Sequence, residues 1–582
     1  MARSQLQKLG TYLNPHWRQA ALGVVALFIV NLVGVWIPLL IRNGIDELQV
    51  TFSFNRVMYY ALLVLVLASV MWVIRMVSRI TLFGVGRQVE FDLKQRIFQH
   101  LLSMEPAYFG RNTAGELISR ATSDVDNIRR LLGFAILSLA NTLFAYALTV
   151  PVMLSISVRL TLISLIVYPL MLVLVQTFSD RLRNEQLIVQ ERLSDLSDLI
   201  QEDMSGIALI KIYAQEENER RAFNRRNSNL LDANLKLART RNLLFPLLGG
   251  LASISLLVIL ATGAGAIADG ALTVGDFVAL LLYVERLVFP TALLGFTITA
   301  YQRGEVSINR VEEILDAEPE VQTAPTAIPL PLEQVKGSLE ARHLNYAYPD
   351  GKVPALDEVS FKIAPGEQIA IVGPIGSGKS TLANALPRLL DIGPGQLYLD
   401  GYDVTELPLA DLRRAIAYVP QDSFLFSTSI NNNIRYGEPL MEFLEVQYAA
   451  KQAQMDEEIQ NFPHHYDTIV GERGITLSGG QRQRTALARA LVVDAPILVL
   501  DDALSSVDNR TATAILNALS EGTQQKTVLF ISHQMSAAAT ADRIFVMDKG
   551  RIVQQGCHRD LVQQPGLYRN LWEQHQLESV LQ

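Results

Sequence analysis

The sequence predicts two unlike parts, an all-α six-helix transmembrane domain followed by an α/β domain. Three observations predict it. Six long, nearly charge-free apolar stretches end by Tyr301, a proline-rich break follows, and from about Leu339 short β-branched runs alternate with helical ones. A length of 582 residues asks for two or three domains. Hydrophobic residues make up 49% and charged ones 19%, with mean hydropathy +0.22, so part of the chain belongs in lipid. The net charge of -8 supplies no basic surface, and no nucleic-acid partner is expected. A single cysteine, Cys557, excludes an internal disulfide framework and reads as a small loop residue rather than a nucleophile.

The first apolar stretch, Ala20 to Ile41, holds no charge. At about 1.5 Å per residue it covers the roughly 30 Å of a hydrocarbon core. Arg3, Lys8 and Arg18 precede it, but it is longer than a signal-peptide core and lacks a small-residue cleavage site, so it reads as an uncleaved span. Val57 to Ile74, Gly133 to Leu154, Val158 to Gln176, Leu243 to Ala266 and Phe277 to Tyr301 complete the six, and a lipid bilayer is the first partner implied.

Between the second and third stretches lies a long polar segment, helical in pattern, with Arg87, Lys94, Arg96, Arg111, Arg120, Arg129 and Arg130. Its counterpart between the fourth and fifth carries Arg181, Arg183, Arg220, Arg221, Arg225 and Arg226, whereas the short connection from Ala266 to Asp276 carries Asp269 and Asp276. The positive-inside rule puts both termini and both long segments in the cytoplasm of a multi-pass protein of the cytoplasmic (inner) membrane. Glu285 and Arg286 adjoin within the sixth stretch, where charge is expensive; they either line a polar cavity or neutralise each other against neighbouring helices. After Glu318, the prolines 319, 325, 329 and 331 cannot continue a helix. The expected division is a transmembrane domain over 1–315, a linker over 316–335 and the α/β domain over 336–582.

Glu367 to Val372 reads as a strand and feeds Gly373-Pro374-Ile375-Gly376-Ser377-Gly378-Lys379-Ser380, the P-loop pattern, with Thr381 next. The glycines let backbone N–H groups face the phosphates, the following helix presents its positive end, Lys379 reaches the outer phosphates and Ser380 can ligate Mg²⁺. Farther on, Ile497 to Leu500 form an apolar strand ending in Asp501, placed to hold Mg²⁺; capping the next turn is the plainer alternative. ATP and Mg²⁺ are the cofactors this pair of motifs implies, and the α/β domain becomes a P-loop NTPase.

Between them stands Leu477-Ser478-Gly479-Gly480-Gln481, followed by Arg482-Gln483-Arg484 and a helical run, an anion site at a helix start. It resembles the signature of ATP-binding cassette (ABC) proteins. The whole chain is similar to a half-size ABC exporter of the multidrug or lipid kind, with type 1 (type IV) membrane architecture and one nucleotide-binding domain. That resemblance implies further roles. Tyr348 resembles the aromatic that stacks on adenine, and Gln421 the residue that touches Mg²⁺ and senses the membrane helices. Ser505-Ser506-Val507-Asp508 resembles the D-loop, and His533 the switch histidine that contacts the γ-phosphate. Gly471 to Gly474 resembles the short loop that meets coupling helices, and Gly206 to Gln215, with Tyr213, a coupling helix. The family pairs two cassettes head to tail, each ATP lying between one P-loop and the other chain's signature, so a second half-transporter is implied.

Asp502 follows Asp501 where such ATPases usually carry a glutamate that holds the attacking water. Shortening by one methylene retracts the carboxylate by roughly 1 Å, and a misplacement of that order can cost about a hundredfold in rate. With an intact signature beside it, the chain resembles the degenerate subunit of heterodimeric bacterial exporters. A homodimer in which Asp502 serves as an adequate base is the alternative. The expected function is ATP-driven export of an amphipathic drug or lipid by alternating access; an ATP-gated channel or regulatory membrane ATPase is the competing class. With about 19 residues before the first span, no leader protease is expected.

Overall fold

The structure is a computed structural model describing residues 5–50, 52–349, 351, 353–520 and 526–581. It divides into two compact units, Met1–Ser103 with Asn112–Ala317, and Met104–Arg111 with Glu318–Gln582. The short helix Pro106–Arg111 therefore groups with the α/β unit, and so does nearly all of the proline-rich stretch, which differs from the division expected at 315 and 336. The reason is a pair of long-range contacts: Glu105 Oε2 accepts from the backbone N–H of Glu320 at 3.2 Å, and Arg111 lies 3.5 Å from the Glu320 carboxylate. No local pattern announces such contacts.

Among the described residues of the first unit, six helices are long and apolar enough to cross a membrane: Gln7–Val50, Phe54–Leu102, Ala114–Ile156, Val158–Ser205, Glu216–Ala268 and Val274–Leu315. Each contains one of the six expected stretches. At about 1.5 Å per residue, helices of 42 to 53 residues far exceed the roughly 30 Å hydrocarbon core, so polar extensions continue them. Several buried polar groups find partners across helices: Tyr283 donates to Val35 O at 2.6 Å, Tyr168 to Val284 O at 2.6 Å, and Ser78 to Gly23 O at 2.9 Å. Arg286 donates to Asn31 O at 3.0 Å while Glu285 faces outward, so the adjacent pair does not neutralise itself. Gly34 makes room for this guanidinium, since a Cβ there would lie 2.0 Å from it.

At the last helix, Thr273 and Asp276 form a capping box, and Arg42 pairs with Asp276 at 2.8 Å. Between the two polar extensions of the fourth and fifth spans sits the short helix Ile207–Ile212, flanked by exposed Tyr213.

The second unit carries ten strands among the described residues: β1 Leu339–Tyr346, β2 Leu356–Ile363, β3 Gln368–Val372, β4 Leu397–Leu399, β5 Tyr402–Asp403, β6 Ile416–Val419, β7 Ile497–Asp501, β8 Thr527–Ile531, β9 Arg543–Asp548 and β10 Arg551–Gly556. An antiparallel sheet runs β2-β1-β4-β5, and a six-stranded sheet runs β10-β9-β3-β8-β7-β6, parallel except for the edge strand β10. Every residue of β3, β7 and β8 is buried. Their side chains alternate between two cores because successive residues of a strand face opposite ways: Ala370, Leu498, Leu500 and Phe530 enter one, Ile369, Val499, Leu529 and Ile531 the other.

Candidate nucleotide site

Register builds the site. In the central sheet Asp501 pairs with Ile531, Ile371 with Ile531, and Val419 with Leu500, so β3, β6, β7 and β8 end at one level. The loops after those four ends carry the P-loop, Gln421, Asp502 and His533. Ligands of open parallel sheets bind at this carboxyl edge.

The P-loop turns because its glycines adopt backbone that other residues avoid: Gly373, Gly376 and Gly378 have φ of 152°, 79° and 98°. Close approach adds to this, since a Cβ on Gly373 would lie 2.1 Å from Met547 O. Helix Lys379–Ala385 then begins, with Gly378 as its cap. Pro374 and Ile375 form the outer part of the loop, and the Ile375 side chain is exposed. Lys379 Nζ donates to Gly373 O at 2.9 Å and to Pro374 O at 2.8 Å, with Ser377 Oγ at 3.4 Å. Burial pushes its pKa down from the usual lysine value. Tyr348, half-exposed, brings its hydroxyl 3.4 Å from Thr381 Oγ1 at the start of the same helix.

Across the sheet edge, Ser380 Oγ donates to Asp501 Oδ1 at 2.9 Å. Asp501 is buried, and burial raises its pKa above the ordinary carboxylate range against the lowering hydrogen bonds of Ser380 and Tyr418. Asp502 adopts φ +50°, its N–H donating to Ile531 O at 3.2 Å and its carbonyl accepting from Ser505 Oγ at 2.9 Å. Burial raises its pKa too, opposed first by His533 and then by hydrogen bonds from Ser505 and Gln421. The structure thus brings Lys379, Gln421, Asp501, Asp502 and His533 to one edge. Ser380, Asp501 and Gln421 offer hydroxyl, carboxylate and amide oxygens, the hard donors that Mg²⁺ takes. No cluster of three or more His, Cys, Asp or Glu suited to a metal occurs among the described residues.

Ser478 caps helix Gly479–Val492 in a capping box: Gln481 N donates to Ser478 Oγ at 3.2 Å and Ser478 N to Gln481 Oε1 at 2.9 Å. Gly480 is required by its neighbour, since a Cβ there would meet Ser506 O at 2.9 Å. Asp508 accepts from the backbone N–H groups of Arg510 and Thr511 at 3.1 and 3.0 Å, capping helix Asn509–Ser520. No hydrogen bond among the described residues joins Ser478–Gln481 to the P-loop.

Three contributors escaped the sequence. Tyr418 donates to Asn384 Oδ1 at 2.8 Å and to Asp501 Oδ2 at 3.3 Å, orienting that carboxylate. Its signal was a lone aromatic hydroxyl in an apolar strand. Gln483 ties the signature helix to the D-loop, donating to Ser505 Oγ at 2.9 Å and accepting from Ser506 N at 2.8 Å. Leu571, Gln574 and His575 of helix Leu567–Leu581 line a cavity of about 170 Å³ with Gly373 and His533. Neither of the last two had a local signature.

Residues 20–291 match the family described as ABC transporter transmembrane region, and residues 356–505 that described as ABC transporter. The chain is 33% identical over 576 residues to a probable multidrug resistance ABC transporter ATP-binding/permease protein of Bacillus subtilis (strain 168), covering 99% of this chain and 98% of that one. It is 34% identical over 561 residues to an ATP-dependent lipid A-core flippase of Thiobacillus denitrificans, covering 96% of each. A solved structure of a bacterial Atm1-family ABC exporter with ATP bound superposes with a TM-score of 0.78 at 26% identity, over 96% of this chain and 99% of that one.

Proposed function

The chain belongs to the ABC transporter family as a half-size exporter, and from that premise we propose that it is the slow-site subunit of a heterodimer. It is a multi-pass membrane protein and an ATPase coupled to transport, and ABC exporters function as dimers in a membrane. The observation that carries the proposal is Asp502, the residue after β7, in a chain whose Leu477 to Gln481 is intact. In this assignment the chain's own P-loop builds the slow site, and Ser478 to Gln481 complete the active site of a partner that supplies the glutamate.

Each residue then has a step. Phosphates entering the P-loop give Lys379 charged acceptors in place of the carbonyls of Gly373 and Pro374. Tyr348 stacks on the base. Ser380, Asp501 and Gln421 would hold Mg²⁺, which would supply positive charge against the outer phosphates. Asp502 orients water toward the γ-phosphoryl group and His533 contacts that group; catalysis of this kind is positioning and electrostatics. Asp508 lies at the surface that meets the second cassette. Nucleotide-driven closure moves the spans between inward- and outward-open states.

One feature favours a second reading, a homodimer. At φ +50° an aspartate is more at ease than most longer residues, so local backbone gives a second reason for the shorter side chain. The two separate cleanly. The heterodimer assignment expects the purified chain alone to hydrolyse ATP slowly and Asp502→Glu to raise the rate at least about tenfold. Brisk ATPase of a stable homodimer, unchanged by Asp502→Glu, sinks it.

The substrate class is an amphipathic drug or lipid, supported by the multidrug and lipid flippase names of similar proteins. The arginine bias of the long segments supports a cytoplasmic nucleotide domain in the inner membrane. Substrate accumulation in proteoliposomes that Lys379→Ala abolishes tests pumping; an ATP-dependent conductance without accumulation would mark a gated channel instead.

A further inference from the structure

Strand pairing brings the Tyr418 hydroxyl to Asp501. Tyr418 sits opposite Val499 where β6 and β7 run parallel, and Asp501 lies two residues beyond Val499, on the same face of β7. A diagonal neighbour of this kind is within reach of a long aromatic side chain. The ring packs against the core that holds Ile416 and Val499, and the hydroxyl bridges Asp501 Oδ2 at 3.3 Å and Asn384 Oδ1 at 2.8 Å. Asn384 stands on the P-loop helix one turn after Ser380, whose Oγ donates to Oδ1 of the same carboxylate at 2.9 Å. Both oxygens of Asp501 are thus tied to one helix, Oδ1 directly and Oδ2 through the tyrosine. Among the described residues no other group donates to Oδ2.

That arrangement bears on which divalent ion the site accepts. Mg²⁺ demands a near-ideal octahedron and keeps several of its waters, whereas Ca²⁺ takes roughly six to eight oxygens in flexible geometry and accepts carboxylates through one oxygen or both. Two-oxygen binding requires Oδ1 and Oδ2 to turn toward the same ion. Here Oδ1 faces the Ser380 hydroxyl, and Oδ2 is held toward Tyr418. A purely apolar residue at 418 would pack in the strand and leave that rotation free.

We propose that Tyr418 is a positioning residue that makes the nucleotide site select Mg²⁺ over Ca²⁺, by holding Asp501 to the presentation of a single oxygen. The inference rests on the reading of Ser380, Asp501 and Gln421 as the metal donors, and the hydroxyl acts through Asp501 alone.

The test is a fluorescence titration of the full chain in nanodiscs with a methylanthraniloyl-labelled, non-hydrolysable ATP analogue, in EDTA, in excess Mg²⁺ and in excess Ca²⁺. The factor by which each ion tightens the analogue measures that ion's hold on the site, because the coupling is reciprocal. In the native chain Mg²⁺ should tighten binding more than Ca²⁺ does. In Tyr418→Phe, which keeps the ring and its packing, the ratio of the Mg²⁺ factor to the Ca²⁺ factor should fall at least about fivefold, with affinity in EDTA held within about twofold. Asn384→Ala, which removes the far anchor and leaves the hydroxyl in place, should lower the ratio too. An unchanged ratio in Tyr418→Phe overturns the proposal, and so does binding weakened alike in all three conditions, the mark of a merely structural role. Asp501→Asn separates this inference from the reading beneath it. If that variant collapses the ratio and Tyr418→Phe does not, only the role of Tyr418 falls; if neither changes it, the metal assignment falls as well.

Discussion

Ser380 Oγ and Asp501 Oδ1 lie 2.9 Å apart across 121 residues of sequence, one at the start of the P-loop helix and the other at the end of β7. That hydrogen bond holds two oxygen donors at the spacing of a shared cation, with Tyr418 fixing the other carboxylate oxygen. Asp501→Asn keeps the shape and removes the charge. Mg²⁺-stimulated ATPase should fall by about 10² or more, while binding of a fluorescent ATP analogue in EDTA changes little. Undiminished Mg²⁺ stimulation would remove Asp501 from the metal site.

The two signature glycines should differ. A methyl on Gly480 meets the Ser506 carbonyl at 2.9 Å, backbone that cannot swing away, whereas one on Gly479 meets the Ser506 hydroxyl at 3.4 Å. Gly480→Ala should destabilise the domain by about 1 to 3 kcal/mol and displace the D-loop, and Gly479→Ala should stay within about 0.5 kcal/mol. Denaturant melts of the two variants decide; equal melts would contradict the packing argument.

Asp508 supplies a pH signature. Hydrogen bonds from Thr511, then from the Arg510 backbone, hold its carboxyl below the ordinary aspartate range. A depressed folded-state pKa contributes stability that is fully present above the unfolded value and lost as pH falls through the folded one. The melting-temperature gap between the native chain and Asp508→Asn should therefore be constant from about pH 5 to 7 and narrow below about pH 4. A gap independent of pH would show that the charge contributes nothing to the cap. Asp508→Ala, which removes the acceptor altogether, should melt lower than Asp508→Asn at every pH.

Local periodicity made the spans legible: each apolar stretch, from Ala20–Ile41 to Phe277–Tyr301, lies in one long helix. The P-loop was legible because its glycines answer to local backbone needs. The neighbours of Asp501 and the D-loop were not, since Tyr418 and Gln483 act through partners 83 and 23 residues away. Glu285 and Arg286, adjacent in sequence, left a cavity lining and a mutual pair both open, yet successive helical residues point about 100° apart and Arg286 turns to Asn31.

By itself, then, the sequence determined the six spans, the α/β domain, the ATP-binding motifs and the methylene missing at Asp502, because each is written in contiguous residues whose period or φ demand is local. Only the tertiary structure decided which of those residues meet. Parallel register brought Lys379, Gln421, Asp501, Asp502 and His533 to one sheet edge, long-range contacts drew residues 104–111 into the α/β unit, and strand pairing set the Tyr418 hydroxyl against Asp501. Charge and hydrogen bonding act over a few ångströms of space, whatever their distance along the chain.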